Sequence, residues 1–154
     1  MTGRVEAINV AADLEGQCRP VEVVEALAGR GLRGDRYFAD APREQGEGRD
    51  ITLIQAEALE GMHEEHGIEL SGAESRRNVL TRGIDLNALV GKPFTIGDVQ
   101  CLGQRLCEPC AHLERLTARA GKSGTLRTLI HKGGLRADLL SDGEIRVGDE
   151  ITAR

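Results

Sequence analysis

Tryptophan is absent from the 154 residues, and there are only one tyrosine and two phenylalanines. A core must therefore be filled by Leu, Val, Ile and Ala, which the 40% hydrophobic content allows. Aromatic platforms for stacked bases are missing. No apolar run approaches the roughly 20 residues that cross a bilayer, so no membrane contact is expected. The first residues, Met1-Thr2-Gly3-Arg4-Val5-Glu6, lack an apolar leader, which predicts a cytoplasmic protein. Positive charge is not in excess either. The net charge of −5 argues against a general nucleic-acid binder. Cysteines number four. In a reducing compartment they are expected as thiols rather than structural disulfides. With no long linker and no low-complexity segment, residues 1–154 read as a single domain.

Short strands dominate what is present. Arg4 to Val10 and Pro20 to Leu27 read as the first two, with Cys18 between them near the surface. Gly29, Gly31 and Gly34 fall within six residues and predict a tight, irregular path. Asp40 to Gly48 reads as a mobile surface loop. A strand over Asp50–Ile54 leads into a helix over Gln55–His66, with Ala56, Leu59 and Met62 on one face and Gly67 as its stop. Ser71 and Glu74 are spaced as a capping box. Ser75–Thr81 reads as a turn and a strand, and Asp85 caps a short helix closed by Gly91. Gly97-Asp98 and Gly148-Asp149 each sit between alternating runs, a pattern that predicts two hairpins. Thr125–His131 is a helix candidate, and Leu135–Leu140 begins the last strands. Regular βαβ alternation is not evident. The fold class expected is mainly β with three or four short helices, built as an antiparallel β-barrel or strongly bent sheet.

The chemistry concentrates in Arg105-Leu106-Cys107-Glu108-Pro109-Cys110-Ala111-His112. A strand over Val99–Leu106 precedes it, and Leu113 and Leu116 suggest a short helix after it. Cys107 and Cys110 thus fall at a strand-to-helix junction. Unpaired N–H groups and the helix dipole favour thiolate there and can draw the pKa below about 8.5. Arg105 and His112 could add positive charge, whereas Glu108 opposes the shift. Cys101 alternates with Val99 and reads as core. A zinc site is an alternative, since Cys107, Cys110 and His112 lie close in sequence. A structural site needs four ligands, however, and His131 could serve only by folding back.

Arg76-Arg77-Asn78 offers planar guanidinium forks to a phosphate or other oxyanion. Its alternative reading is a solvated helix face. Arg36, beside Asp35 at the end of the glycine bend, and Arg49 and Lys132 are further anion candidates, although Asp35 and Arg36 could simply pair. His63-Glu64-Glu65-His66 has the wrong spacing for a metalloprotease helix and reads as an exposed helix end.

Taken in order, these residues resemble a known family. Gly31-Leu32-Arg33-Gly34-Asp35-Arg36, then Asp50-Ile51-Thr52-Leu53-Ile54 with Glu57, then Arg76-Arg77-Asn78, Gly83-Ile84-Asp85-Leu86 and Leu89-Val90-Gly91-Lys92-Pro93-Phe94 are similar in sequence and spacing to the MOSC domain. Ile96-Gly97, the cysteine-bearing stretch and Gly134-Leu135 complete the set. That domain takes its name from the C-terminal domain of molybdenum-cofactor sulfurase. The resemblance implies a MOSC-type β-barrel that handles sulfur or the molybdenum cofactor. It implies a thiolate or persulfide at Cys110, with Cys107 just before it and Cys110 as the residue that would ligate molybdenum. Arg76, Arg77, Asn78, Arg36 and Arg49 are the cofactor-binding candidates. A pyridoxal-phosphate site is not expected in this chain, so the implied sulfur donor is a separate cysteine desulfurase. The acceptor would be a molybdenum-cofactor enzyme or a small molecule. The reading from a different class is a non-catalytic anion- or cofactor-binding barrel, or a small zinc-binding domain, with structural cysteines.

Overall fold

Strand-forming runs separated by turn residues give a mostly β molecule. The computed structural model describes residues 1–14, 16, 18–107 and 132–153. The first strands are β1 (Thr2–Val10), β2 (Arg19–Val21), β3 (Val23–Leu27), β4 (Gly31–Leu32) and β5 (Ile51–Gln55). Helix α1 (Ala56–His66) and β6 (Val79–Arg82) follow, then a 3-10 helix (Leu86–Leu89), β7 (Pro93–Ile96) and β8 (Val99–Leu106). β9 (Leu135–Leu139), β10 (Gly143–Arg146) and β11 (Glu150–Ala153) complete the described residues. Seven strands close a barrel in the order β11, β7, β8, β9, β5, β6, β1, with β1 pairing back onto β11. β2 adds to the last residues of β1. β10, β3 and β4 form a separate three-stranded sheet.

The barrel is mixed, not purely antiparallel as the sequence suggested. β5 and β6 run parallel, with Leu53 opposite Val79 and Gln55 opposite Thr81. Parallel neighbours need a crossover, and α1 lies within the connection that supplies it. Its Ala56, Leu59 and Met62 are buried. Gly67 ends the helix at φ 69° and donates its N–H to the His63 carbonyl at 2.9 Å. The second expected strand also differs. It splits at Glu22, so that β2 stays on the barrel and β3 leaves for the smaller sheet. Helix candidates at 113–116 and 125–131 lie outside the described residues.

The two Gly-Asp pairs have different fates. Gly97-Asp98 turns the β7–β8 hairpin, with Ile96 opposite Val99 and Gly97 at φ 57°, as a tight hairpin with glycine first requires. Gly148-Asp149 turns no hairpin. The chain passes there from β10 in the small sheet to β11 in the barrel. Gly148 N–H donates to Val5 and Val5 N–H to Asp149, so β1 captures the turn.

Aliphatic side chains fill the interior, as the shortage of aromatics demands. Ile8, Leu53, Leu86, Leu89, Ile96, Leu135, Ile145 and Ile151 are fully buried, and Phe94 is the aromatic among the buried core residues. Each such side chain stabilises the fold by about 1.5–3 kcal/mol relative to exposure.

The loop over 40–48 is not the idle surface segment its composition suggests. Buried Asp138 accepts the Gly46 N–H at 2.7 Å, the Gly48 N–H at 2.9 Å and the Gln104 amide at 2.9 Å. Arg43 pairs with buried Asp50 at 2.8 Å and also donates to the Tyr37 carbonyl. Burial pushes the Asp50 carboxyl upward, against the Leu139 N–H and Arg43, which favour its charged form. Two interior carboxylates thus fix the loop onto β8 and β9.

Candidate functional site

Arg76 is the turning point of the site. Ser71 and Glu74 form the reciprocal box their spacing predicts, each side chain taking the other's N–H at 3.1 Å. The box opens a tight turn rather than a helix. Arg76 leaves that turn at φ 61°, alone among the described non-glycine residues in the left-handed region. Such a backbone costs roughly 1–3 kcal/mol and persists where the surroundings hold it.

The two arginines then part. Arg76 donates to the carbonyls of Gly16, Asp13 and Leu14 in the loop after β1, the latter two at 3.3 and 2.9 Å. Arg77 donates to Gly133 at 2.8 Å and to Ser75 and Cys107 at 3.4 Å. Both residues are only 7% exposed. Among the described residues no carboxylate pairs with either guanidinium. The solvated-face reading of this motif is therefore wrong: these are interior cations held by backbone dipoles. Asn78 is structural. Its carbonyl oxygen accepts from Thr52 N–H at 3.0 Å and Thr52 hydroxyl at 3.1 Å, and its amide donates to Asn9 at 3.3 Å.

Arg36 joins the same strip. The glycine bend delivers Asp35 to a buried position, where it accepts Ala11 N–H at 3.1 Å and faces Arg36 at 3.3 Å. Arg36 also donates to the Arg76 carbonyl at 3.0 Å, lies 4.0 Å from the Cys18 sulfur and stacks on Tyr37. Cys18 is half-buried, not a surface residue. Burial raises its thiol pKa, and the charges of Arg36 and Arg76 partly offset that rise. Sequence reasoning passed over Cys18 because nothing local marks it. Its surroundings come from residues 35, 36 and 76.

Cys107 follows the last residue of β8 and is 1% exposed. Its N–H donates to the Gly134 carbonyl at 2.7 Å. Gly134, at φ 105°, packs so close to β5 that an added Cβ would stand 1.8 Å from the Leu53 carbonyl oxygen. Strand ends, Gly134 and Arg77 therefore meet at one place. Cys110, Glu108, Pro109, His112 and His131 lie outside the described residues, so the zinc alternative rests here on Cys107 alone. No three of His, Cys, Asp and Glu come together among the described residues to hold a metal. Arg105 and Lys132 are exposed. Arg49 is exposed too and pairs with Glu47 at 3.5 Å instead of joining the buried arginines. His63 and His66 are exposed at the end of α1, as expected. No helix among the described residues is long and apolar enough to cross a membrane.

A family model described as the MOSC domain matches residues 40–152. The fold is also similar to three solved structures. The YuaD protein from Bacillus subtilis superposes with a TM-score of 0.82 at 17% identity, covering 98% of this chain and 94% of that one. YiiM from Geobacillus stearothermophilus gives 0.73 at 15% identity, with 99% and 75% covered. YiiM from Escherichia coli gives 0.64 at 16%, with 98% and 69% covered. No curated protein matches by sequence.

Proposed function

From a chain that belongs to the MOSC domain family, we propose a sulfur carrier that works through a thiolate at Cys110 and binds an anionic cofactor or substrate through Arg76 and Arg77. The observation that carries this reading is the pair of buried guanidinium groups without a carboxylate partner among the described residues. Burying a charge without a counter-charge costs several kcal/mol. A bound anion would offset that cost. Each guanidinium has five N–H donors, of which the described carbonyls take three. In this proposal the remaining donors meet the oxyanion. Burial of Cys107 favours Cys110 as the thiol that meets a donor, leaving Cys107 to pack the strand end.

The sulfur step balances without an external oxidant. The Cys110 thiolate attacks the terminal sulfur of a donor persulfide, such as that of a cysteine desulfurase. A new S–S bond forms at Cys110, the donor's S–S bond breaks, and the donor leaves as a thiolate. The terminal S–H proton travels with the transferred sulfur. The chain's task is to keep Cys110 ionised and the donor's charge compensated. A molybdenum cofactor would be held through its phosphate by Arg76 and Arg77, with Cys110 as the proposed metal ligand, and would supply atom transfer at its metal. The acceptor is then a molybdenum-cofactor enzyme or a small molecule.

Cyanolysis tests the proposal. Protein incubated with a cysteine desulfurase and cysteine, then desalted and treated with cyanide, should release thiocyanate. The Cys110→Ala variant should release none, and Cys107→Ala should retain most of it. Equal release from wild type and Cys110→Ala would replace this reading with the anion-binding barrel.

A further inference from the structure

We infer that Arg105 and Arg136 form a phosphate-binding site on the outer face of the barrel, apart from Arg76 and Arg77. The inference stands without the sulfur-carrier reading. Strand alternation would turn Arg105 inward, because Gly103, two residues before it, is buried. A bulge prevents this. Gly103 stands opposite Ala137 and Arg105 opposite Arg136, so Gln104 and Arg105 together face one residue of β9. The extra residue re-aims the Arg105 side chain. Leu106 opposite Leu135 then resumes the register. Arg105 is exposed and Arg136 half-buried, side by side on the outer face of the ladder.

Directly opposite residues in a ladder hold their Cβ atoms about 4.5–5.5 Å apart, and like charges placed so repel. Among the described residues, neither guanidinium meets a carboxylate or a backbone carbonyl, whereas Arg33, Arg43, Arg82 and Arg146 each hold a carboxylate. Asp138 lies on the same face of β9, but it directs its oxygens to Gly46, Gly48 and Gln104. The loop over 40–48 packs against the base of the pair. A Cβ added at Gly48 would stand 3.0 Å from the Cβ atoms of both Gln104 and Arg136. Two cations are thus built next to each other on a bulged ladder and left without a counter-charge. An anion that takes both forks removes the repulsion. A carboxylate has two oxygens and suits a single fork. A phosphate group, free or as a monoester, brings three strong acceptor oxygens and a charge of about −2, which suits two.

The test is a titration of isotope-labelled protein with inorganic phosphate, and separately with phenyl phosphate, followed by amide NMR at an ionic strength held constant with chloride. Saturable shifts are expected at the amides of Arg105, Leu106, Arg136 and Ala137. Arg105→Gln and Arg136→Gln should each weaken binding about 10-fold or more, the loss that accompanies removal of a charged hydrogen-bond donor. Without phosphate, Arg136→Gln should melt no lower than wild type, because the change removes a repulsion. Free phosphate bound at least as tightly as the ester identifies the inorganic anion as the ligand, and tighter phenyl phosphate identifies an organic monoester. Unchanged affinity in both variants would overturn the inference. So would shifts confined to Arg76, Arg77 and their neighbours, which would leave the anion site of the sulfur-carrier reading intact. Shifts at Arg105 and Arg136 that never saturate, or that chloride alone reproduces, are general screening and overturn it too. A negative cyanolysis result removes the sulfur-carrier reading and leaves this site to be decided by the titration.

Discussion

Among single residues, the two described thiols with shifted acidity behave alike for related reasons. Cys101 sits at a buried position of β8, and burial, with a smaller push from the Asp50 charge, drives its thiol pKa far above the ordinary value. Cys18 is raised by burial despite two nearby arginines. A folded pKa above the unfolded one means that stability is fully present below about pH 8.5 and is lost as pH rises beyond it, where the unfolded chain gains thiolate. For Cys101 the loss should approach about 2 kcal/mol between pH 8.5 and 10. Urea unfolding at pH 8 and pH 10 should show a smaller alkaline loss in Cys101→Ala than in wild type. Identical losses in both would remove Cys101 as the cause. The burial of Cys101 was legible in the alternation of β8. That of Cys18 was not, because its neighbours come from elsewhere in the chain.

At the scale of elements, the same dipeptide reaches two results. Gly97-Asp98 turns a hairpin because β7 and β8 are both long enough to pair at once. Gly148-Asp149 makes a local turn, with Asp149 N–H donating to Arg146 at 3.1 Å, but β10 is already paired with β3. Local turn chemistry cannot say which sheet the next strand joins. The loop over 40–48 teaches the converse. Its polar, glycine-bearing sequence looks unanchored, yet one aspartate 90 residues away from Gly48 fixes it. Asp138→Asn would leave an amide facing two N–H donors and should cost roughly 2–4 kcal/mol. Trypsin should then cleave at Arg43 and Arg49 faster than in wild type. Unchanged proteolysis and unchanged urea midpoint would show that the loop is held by Arg43 and Asp50 instead.

For the whole molecule, closure of the barrel by β11 matters most. β11 pairs with β1 on one side and β7 on the other, joining the first strand to the last. Ile151 is fully buried at that seam. Ile151→Ala should therefore cost about 2–5 kcal/mol. Because the seam completes a single core, melting followed by circular dichroism should remain one transition at a lower midpoint. A loss under about 1 kcal/mol, or a separate early transition, would mean that the seam is peripheral. The charge balance also resolves only at this scale: the net charge of −5 belongs to the whole chain, whose interior holds Arg76 and Arg77 as well as Asp35, Asp50 and Asp138.

The sequence by itself determined the β-rich class, most strand positions, the aliphatic core, the α1 face and the family. Each of these is a local periodicity or an ordered set of short motifs. Tertiary structure alone decided the parallel β5–β6 pair, the fate of Gly148-Asp149, the burial of Cys18 and the partners of the arginine forks. Those depend on which distant segments meet: Arg76 finds Gly16 sixty residues back, and Arg77 finds Gly133 fifty-six residues on. Hydrogen-bond donors on a long side chain are visible in a sequence. The carbonyls that receive them are fixed only when the barrel closes.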